Sequence, residues 1–357
     1  MNNPFKFSKD LNMKRIMIVT NSLTGGGAER SMNLVANELT TRGIPVALVP
    51  INAGPSDQVI PRCEVFPLQR QWRGSLRSTI SSIWNFNRVV KSWKPDVIVL
   101  NCDLPELFGV FLFSSQKIVA VEHINHPWIT RKRFGRFVRK ALEIRKTTWV
   151  AVSEHLAIWP NQRTPSGVLL NPIVAEAQLI NGNSSYLDGF HELKRLVFIG
   201  RLTEQKRPDW VLEIASQTQL PAEFMGEGTM MKRLIEMATF NNLDVKFLGQ
   251  VIDPWSTVKE GDLLVVPSKY EGDGLVVIEA LHNRVPMLLA SIPDFRRFGF
   301  PEANYCFGIA DFVQKIGSYS KNLNDLLIPK ELSKSLLNSR SIHKVGDSWE
   351  EFLASIR

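Results

Sequence analysis

Short apolar runs rich in β-branched residues recur along this chain, and stretches of helical periodicity fall between them. Residues 15–20, 45–51, 96–100, 117–121 and 149–152 are such runs. Each is apolar at nearly every position rather than at alternate ones, the pattern of a parallel strand buried on both faces. After the first run, residues 29–42 place apolar side chains at Met32, Leu34, Val35, Ala36 and Leu39 and stop at Gly43, which predicts a helix with a glycine stop. Strands alternating with helices predict an α/β fold with a doubly wound parallel sheet.

The pattern breaks at residues 171–192, which hold Pro172, Gly182, Asn183, Ser184, Ser185 and Gly189 and read as a linker. A second series comes after it, with strands at 195–199, 222–225, 245–248, 263–267 and 286–290 and helices at 208–216, 230–238 and 275–282. A chain of 357 residues, 44% of them hydrophobic, is too long for one ordinary core and comfortable for two. The expected organisation is a Rossmann-like domain over 13–170, the linker, a second Rossmann-like domain over 193–330, and C-terminal helices over 331–357 that pack back on the first domain. Residues 1–12 read as a loose tail before Met13, a candidate natural start. Lys6, Lys9 and Asp10 around Phe5 and Phe7 leave no apolar core for a secretory signal.

Cys63, Cys102 and Cys306 are odd in number and far apart, which fits a reducing compartment and argues against a disulfide scaffold. No segment reaches the ~20 apolar residues of a membrane span. Residues 107–113 are apolar but end at Ser114, Ser115, Gln116 and Lys117. The formal charge of +8 favours anionic partners: nucleotides, phospholipid headgroups or nucleic acid. Nucleic acid is not expected, because no recognised binding module is present.

Ligands of doubly wound sheets sit beyond the carboxyl ends of the strands, and three stretches there carry chemistry. Gly25, Gly26 and Gly27 come after the first strand and allow close backbone approach at a helix N-terminus. They lack the dinucleotide-fingerprint spacing, and a simple tight turn explains them equally. Arg201 and Lys206 come after the strand at 195–199 and suit a diphosphate, Arg as a planar fork and Lys as a point charge. On spacing alone, a solvated basic loop with Arg207 is the favoured reading. Residues 271–279 say most. Gly272 and Gly274 form a loop, a helix opens at Leu275 and Val276 whose N–H groups are a phosphate cradle, and Glu279 falls one turn on, where a carboxylate can accept from a ribose diol. Glu271 ahead of the loop can meet a sugar hydroxyl.

This last stretch resembles the E-x7-E element of family 4 of the retaining glycosyltransferases, which have the GT-B fold of two Rossmann-like domains. The resemblance covers most of the chain. It takes in residues 25–30, Glu122-His123, Val152-Ser153, Gly200-Arg201 with Lys206, Gly226-Glu227-Gly228, Phe247-Leu248-Gly249 and 271–279. It implies an acceptor-binding first domain and a donor-binding second one. Arg201 and Lys206 would hold the donor diphosphate, Glu279 the ribose and Glu271 a hydroxyl of the transferred sugar. Gly26 and Gly27 would line the cleft, and His123 would sit near the reacting centre; read alone, His123 is a core histidine at a strand end. Ser153 is a weaker candidate that reads equally as a helix cap. The chain departs from the family at Asp273, where an aromatic or apolar residue is usual and sugar choice is the expected consequence, and at Arg284, where glycine is usual and a helix C-cap is affected.

The resemblance implies a retaining hexosyltransferase that uses a nucleotide sugar, expected to be UDP-linked, on a glycan or lipid-linked acceptor in lipopolysaccharide, O-antigen or capsule synthesis. No cofactor or metal is expected. There is no D-x-D motif, only the N-x-D of Asn101 and Asp103, and cations and helix dipoles stabilise the leaving diphosphate. A GT-B epimerase is disfavoured by Arg201, Lys206, Glu271 and Glu279, whereas Asp273 and Arg284 leave a non-catalytic nucleotide-sugar-binding protein open.

Residues 131–146 show an apolar stripe at Phe134, Phe137, Val138, Ala141 and Leu142, with Arg131, Lys132, Arg133, Arg136, Arg139, Lys140, Arg145 and Lys146 on the other faces. Arg70, Trp72, Arg73 and Arg77 form a second basic stretch. This predicts a cytoplasmic protein peripheral on the inner face of the cell membrane, with Arg136, Arg139 and Lys140 facing anionic lipid. A core-packed helix with a solvated basic face is the other reading.

Overall fold

The recurring runs are strands of two parallel sheets in the computed structural model of the chain, which describes residues 14–23, 26–54, 60–71, 75–125, 127–173 and 192–356. The expected tail at 1–12, Met13, Gly25, Trp72, Arg73 and nearly all of the expected linker lie outside the described residues. The chain divides into two units, Met1–Pro172 with Arg340–Arg357, and Ile173–Ser339.

The first unit runs β1 (Ile16–Thr20), α1 (Gly27–Thr41), β2 (Val46–Pro50), β3 (Glu64–Val65), α2 (Leu76–Trp93), β4 (Val97–Asn101), α3 (Asp103–Val110), β5 (Lys117–Glu122), α4 (Lys132–Ile144), β6 (Thr148–Ala151) and β7 (Gly167–Val168). Its described strands are ordered β3-β2-β1-β4-β5-β6-β7. All are parallel, with Ile16 opposite both Val46 and Val97. The continuous apolar runs now have a cause. Along β1, Met17 and Val19 enter a core with Phe86 and Phe108, while Ile16 and Ile18 enter a core on the other face with Met32 and Trp349.

The second unit runs β8 (Arg195–Ile199), α5 (Pro208–Thr218), β9 (Ala222–Met225), α6 (Met231–Phe240), β10 (Val245–Phe247), β11 (Asp262–Val266), α7 (Leu275–His282), β12 (Met287–Ala290), α8 (Pro293–Arg296), β13 (Tyr305–Cys306), α9 (Ile309–Tyr319) and α10 (Lys330–Ser339). Its described strands are ordered β10-β9-β8-β11-β12-β13. The final helix, α11 (Ile342–Ser355), belongs to the first unit, where Val345, Trp349 and Leu353 bury the same stripe as Met32, Val35 and Leu39 of α1. Arg42 fastens it, with Nη1 2.6 Å from Asp347 Oδ1 and 3.1 Å from Glu350 Oε2. The C-terminal residues therefore split at 339/340, and α10 stays with the second unit.

Helix α4 corrects the expectation for Arg139. Its buried residues are Gly135, Val138, Arg139 and Leu142, while Phe134 and Phe137 are exposed. Arg139, 1% exposed, cannot face a membrane. Its Nη2 lies 2.5 Å from Glu106 Oε1 and its Nη1 2.5 Å from Glu122 Oε2, and Nη1 also donates to Trp159 O at 2.8 Å. Trp128 Nε1 donates to Glu106 Oε2 at 2.7 Å, and the guanidinium lies over the Trp149 ring at 4.6 Å. A buried cation survives only when paired and hydrogen-bonded, and two carboxylates supply that at the bottom of the layer. Gly135 is obligatory in this arrangement, since a Cβ there would fall 2.3 Å from Trp128.

Two carboxylates around one cation leave excess negative charge. Burial, with Glu106 adding to it and Arg139 opposing it, pushes the Glu122 carboxyl up to about 7. Burial and Glu106 likewise push Asp103 up to about 6. Native pKa values above the unfolded ones mean that the folded state binds protons more tightly than the unfolded state. Stability from these groups is complete below the unfolded pKa and lost as pH rises through about 7. We expect the urea stability of this unit, followed by the fluorescence of Trp128, Trp149 and Trp159, to fall by about 2 kcal/mol from pH 5 to pH 8 relative to Glu122→Gln. Parallel pH profiles for wild type and Glu122→Gln would contradict this.

Candidate functional site

Between β8 and β11 the strand order of the second sheet reverses, with β9 and β10 on one side and β12 and β13 on the other. Connections leaving the carboxyl ends of two such strands diverge and open a crevice. The expected residues of this unit collect there.

Beyond β8 the backbone is held by the turn after β9. Gly200 N donates to Met225 O at 2.9 Å and Leu202 N to Glu227 O at 2.8 Å. Gly226 must be glycine, because a Cβ would lie 2.0 Å from Gly200 O, and its φ is +141°. Arg201 then stands exposed, its Nη2 donating to Gln205 Oε1 at 3.2 Å, and Gln205 Nε2 donates to Tyr270 O at 3.1 Å. Lys206 closes a turn onto Thr203 O at 3.0 Å. Its Nζ lies 2.5 Å from Glu271 Oε1, which also accepts from Ser268 Oγ at 2.7 Å. Burial raises the Tyr270 hydroxyl pKa, with Arg201 lowering it and Glu271 raising it, so Arg201 and Glu271 act within one neighbourhood.

Beyond β11, Gly272, Asp273 and Gly274 are buried, and Gly274 caps α7 with φ +66°. The N–H groups of Val277 and Ile278 donate to Gly274 O at 2.9 and 3.4 Å. Those of Leu275 and Val276 meet no acceptor among the described residues, as the first donors of a helix do. Glu279, one turn on and half-buried, accepts from Trp255 Nε1 at 3.0 Å through Oε2. Two cations, two carboxylates and two outward N–H donors thus share one sheet edge, a set suited to a diphosphate and its attached diol and sugar hydroxyls.

The two departures from the family resolve differently. Arg284 takes the left-handed conformation, φ +54°, with Arg284 N donating to Leu281 O at 3.2 Å and Val285 N to Ala280 O at 3.0 Å. That is a C-cap in which glycine is the easiest fit. Asp273 is paired with Arg297, its Oδ1 accepting from Arg297 Nη2 at 3.1 Å.

In the first unit, Gly26 caps α1 and Gly27 opens it. A Cβ on Gly26 would meet Glu29 Oε2 at 3.6 Å, an ordinary contact, so packing does not demand glycine there. Asn101, at the end of β4, donates through Nδ2 to Thr20 Oγ1 and Ala28 O, both at 3.3 Å, and its Oδ1 lies 2.5 Å from His123 Nε2. With the amide nitrogen committed as donor, His123 Nε2 carries the proton in that bond. His123 is half-buried beyond β5 rather than enclosed in the core. Ser153 is buried and bonded to His155 Nδ1. Residues 153–156 form a turn, with no helix opening there, so it caps nothing. Asn101 is occupied as described, and Asp103 Oδ2 accepts from Trp128 N at 2.9 Å. Among the described residues no group of three or more His, Cys, Asp or Glu is placed to hold a metal ion.

Trp255, Gln205, Ser268 and Asp294 join the site without a signal in spacing alone, since each works through a neighbour distant in sequence or through a turn.

The profile of the family described as Glycosyl transferases group 1 matches residues 188–298. The chain is 21% identical over 365 residues, 97% of its length and 99% of the relative's, to GalNAc-alpha-(1->4)-GalNAc-alpha-(1->3)-diNAcBac-PP-undecaprenol alpha-1,4-N-acetyl-D-galactosaminyltransferase of Campylobacter jejuni. Its fold is similar to that of Anabaena HepE, solved with UDP and glucose, at a TM-score of 0.71 and 15% identity over 96% of this chain and 100% of that one. It is equally similar to Staphylococcus aureus TarM, solved with fondaparinux, alpha-GlcNAc-glycerol and UDP, at a TM-score of 0.71 and 12% identity over 96% and 100%. The profile match over residues 188–298, the similarity along nearly the whole chain to a glycosyltransferase and the GT-B fold make this chain similar to the glycosyltransferases of group 1.

Proposed function

We propose that this chain moves a hexosyl residue from a UDP-linked sugar to a glycan or lipid-linked acceptor with retention of anomeric configuration, in lipopolysaccharide, O-antigen or capsule synthesis. The observation that carries the reading is the convergence of Arg201, Lys206, Glu271, Glu279 and the Leu275 and Val276 N–H groups at the β8/β11 reversal. UDP in the two similar solved structures and the undecaprenol-linked glycan in the name of the Campylobacter jejuni relative support the choice of donor and acceptor class.

In this reading the diphosphate lies between Arg201, Lys206 and the α7 N-terminus, with Gly272 and Gly274 keeping the approach free of side chains. Glu279 takes the ribose diol, and Glu271 takes a sugar hydroxyl while orienting Lys206. The bond from the anomeric carbon to the diphosphate oxygen breaks and its electron pair leaves on the diphosphate. An acceptor hydroxyl bonds to the anomeric carbon on the same face and passes its proton to the leaving phosphate. For His123, Gly26 and Gly27 of the first unit we propose the roles that the family resemblance implies. Two cations and a helix dipole supply the charge stabilisation that a metal would otherwise provide, so we propose a reaction without metal or other cofactor. Turnover of radiolabelled UDP-sugars on membrane extract, in excess EDTA, tests this. We expect activity in wild type and a loss of about tenfold to a hundredfold in UDP affinity for Glu279→Ala, the worth of one charge-assisted hydrogen bond. Activity abolished by EDTA, or unchanged affinity in Glu279→Ala, would contradict it.

We further propose that the protein works in the cytoplasm against the inner face of the cell membrane. Arg136 and Lys140 remain exposed with Lys132 and Arg133 on α4, beside exposed Phe137 and Ile144. The outer face of α2 exposes Leu76, Ile80 and Trp84 and carries no acidic residue. Trp84 meets Phe113, 5.5 Å between centroids, and Arg145 Nη2, at the end of α4, donates to the adjacent Ser114 O at 2.6 Å, so the loop at 113–114 is touched from both helices. Four cations near anionic lipid contribute about 4 kcal/mol together, and the apolar side chains add insertion. Wild type is expected to float with phosphatidylglycerol vesicles at 0.1 M salt, where the Debye length is about 10 Å, and Arg136→Glu with Lys140→Glu to stay at the bottom. Equal flotation of the two would contradict the proposal.

A further inference from the structure

The loop that opens α7 is braced from one side by α8 and the two residues after it. Asp294 Oδ2 accepts from Glu271 N at 2.8 Å. Arg297 reaches back across the loop, its Nη2 donating to Asp273 O at 2.8 Å and to Asp273 Oδ1 at 3.1 Å, and its Nε donating to Asp294 O at 2.9 Å. Phe295 stands where a Cβ on Gly274 would fall, 3.1 Å away, and Phe298 comes next at 3.6 Å. Glu271, Asp273 and Gly274 are thus all contacted from 294–298.

The brace holds a loop, not a core. Asp273 is 6% exposed, yet Arg297 keeps 22% of its side chain in solvent. What the loop sets is the direction of the first N–H donors of α7 and the seat of the Glu271 carboxylate. A helix N-terminus binds an anion well only when its N–H groups are aimed beforehand. Glycines at 272 and 274 let the anion approach but leave the loop without stiffness of its own. The Asp273–Arg297 pair supplies that stiffness at the position where the resemblance leads one to expect an aromatic or apolar side chain.

We propose that Asp273 and Arg297 form a positioning pair that aims the Leu275 and Val276 N–H groups at the donor's diphosphate. The inference rests on the donor reading above. It acts on the phosphates only, because Glu279 is held separately by Trp255, which comes after β10. A general weakening of the unit would lower affinity for the whole nucleotide, whereas lost aim lowers affinity for its phosphates alone.

Ligand-detected NMR titrations with UDP and with uridine separate the two. The variants are Asp273→Ala, Arg297→Ala and the milder Asp273→Asn, which keeps an acceptor oxygen. We expect Asp273→Ala and Arg297→Ala to bind UDP about tenfold more weakly, the scale of one charge-assisted hydrogen bond, while uridine affinity stays within about twofold, the effect of losing no such bond. Asp273→Asn should recover most of the UDP affinity. Where either alanine variant fails to fold, Asp273→Asn and Arg297→Lys carry the same comparison, with smaller losses of UDP affinity and none of uridine affinity. UDP affinity equal to wild type in all variants, or proportional loss of UDP and uridine, overturns the positioning role while leaving the donor reading intact. A wild type that binds neither UDP nor uridine overturns both.

Discussion

Everything in the second unit depends on β8 lying beside β11, strands separated by α5, β9, α6 and β10 in sequence. Arg195 fixes that pairing at the amino edge of the sheet. Its Nε donates to Asp262 Oδ1 at 3.0 Å and its Nη2 to Asp262 Oδ2 at 2.5 Å, a bidentate fork onto the partner strand. A further arm pairs with Glu223 on β9. One guanidinium therefore ties three strands at the foot of the sheet. At the head, the same adjacency carries Arg201 and Lys206 to Glu271 and the α7 N-terminus. The site is a consequence of the crossover, and its charges are those that a reversal point can gather from two loops.

The parallel strands are legible because a sheet covered on both faces demands apolar side chains at every position, which leaves an uninterrupted run as its signature. The element at 271–279 is legible because loop, helix start and carboxylate all lie within nine consecutive residues. Interactions between partners far apart in the chain leave no such mark. Trp255 meets Glu279 from another connection, and Arg297 meets Asp273 across the site. The short edge strands β3 and β7 are two residues each, too brief to leave a periodic trace.

Helix α4 shows the same limit more sharply. A helical wheel sorts residues by polarity, so it places Phe134 and Phe137 inward and Arg139 outward. The fold does the reverse, because Glu106 of α3 and Glu122 of β5 offer the guanidinium two carboxylates in the layer beneath. Glu122 adjoins His123, so this buried charge cluster also anchors the end of β5 from which His123 projects. The surface so created is apolar and basic together, which suits a lipid surface better than the purely basic face that the wheel implies.

The most direct test of the account is a crystal structure of the protein grown with UDP. The account predicts the diphosphate at the carboxyl ends of β8 and β11, within hydrogen-bond distance of Arg201, Lys206 and the Leu275 and Val276 N–H groups, and the ribose against Glu279. Density for the nucleotide elsewhere, or a ribose remote from Glu279, would contradict it.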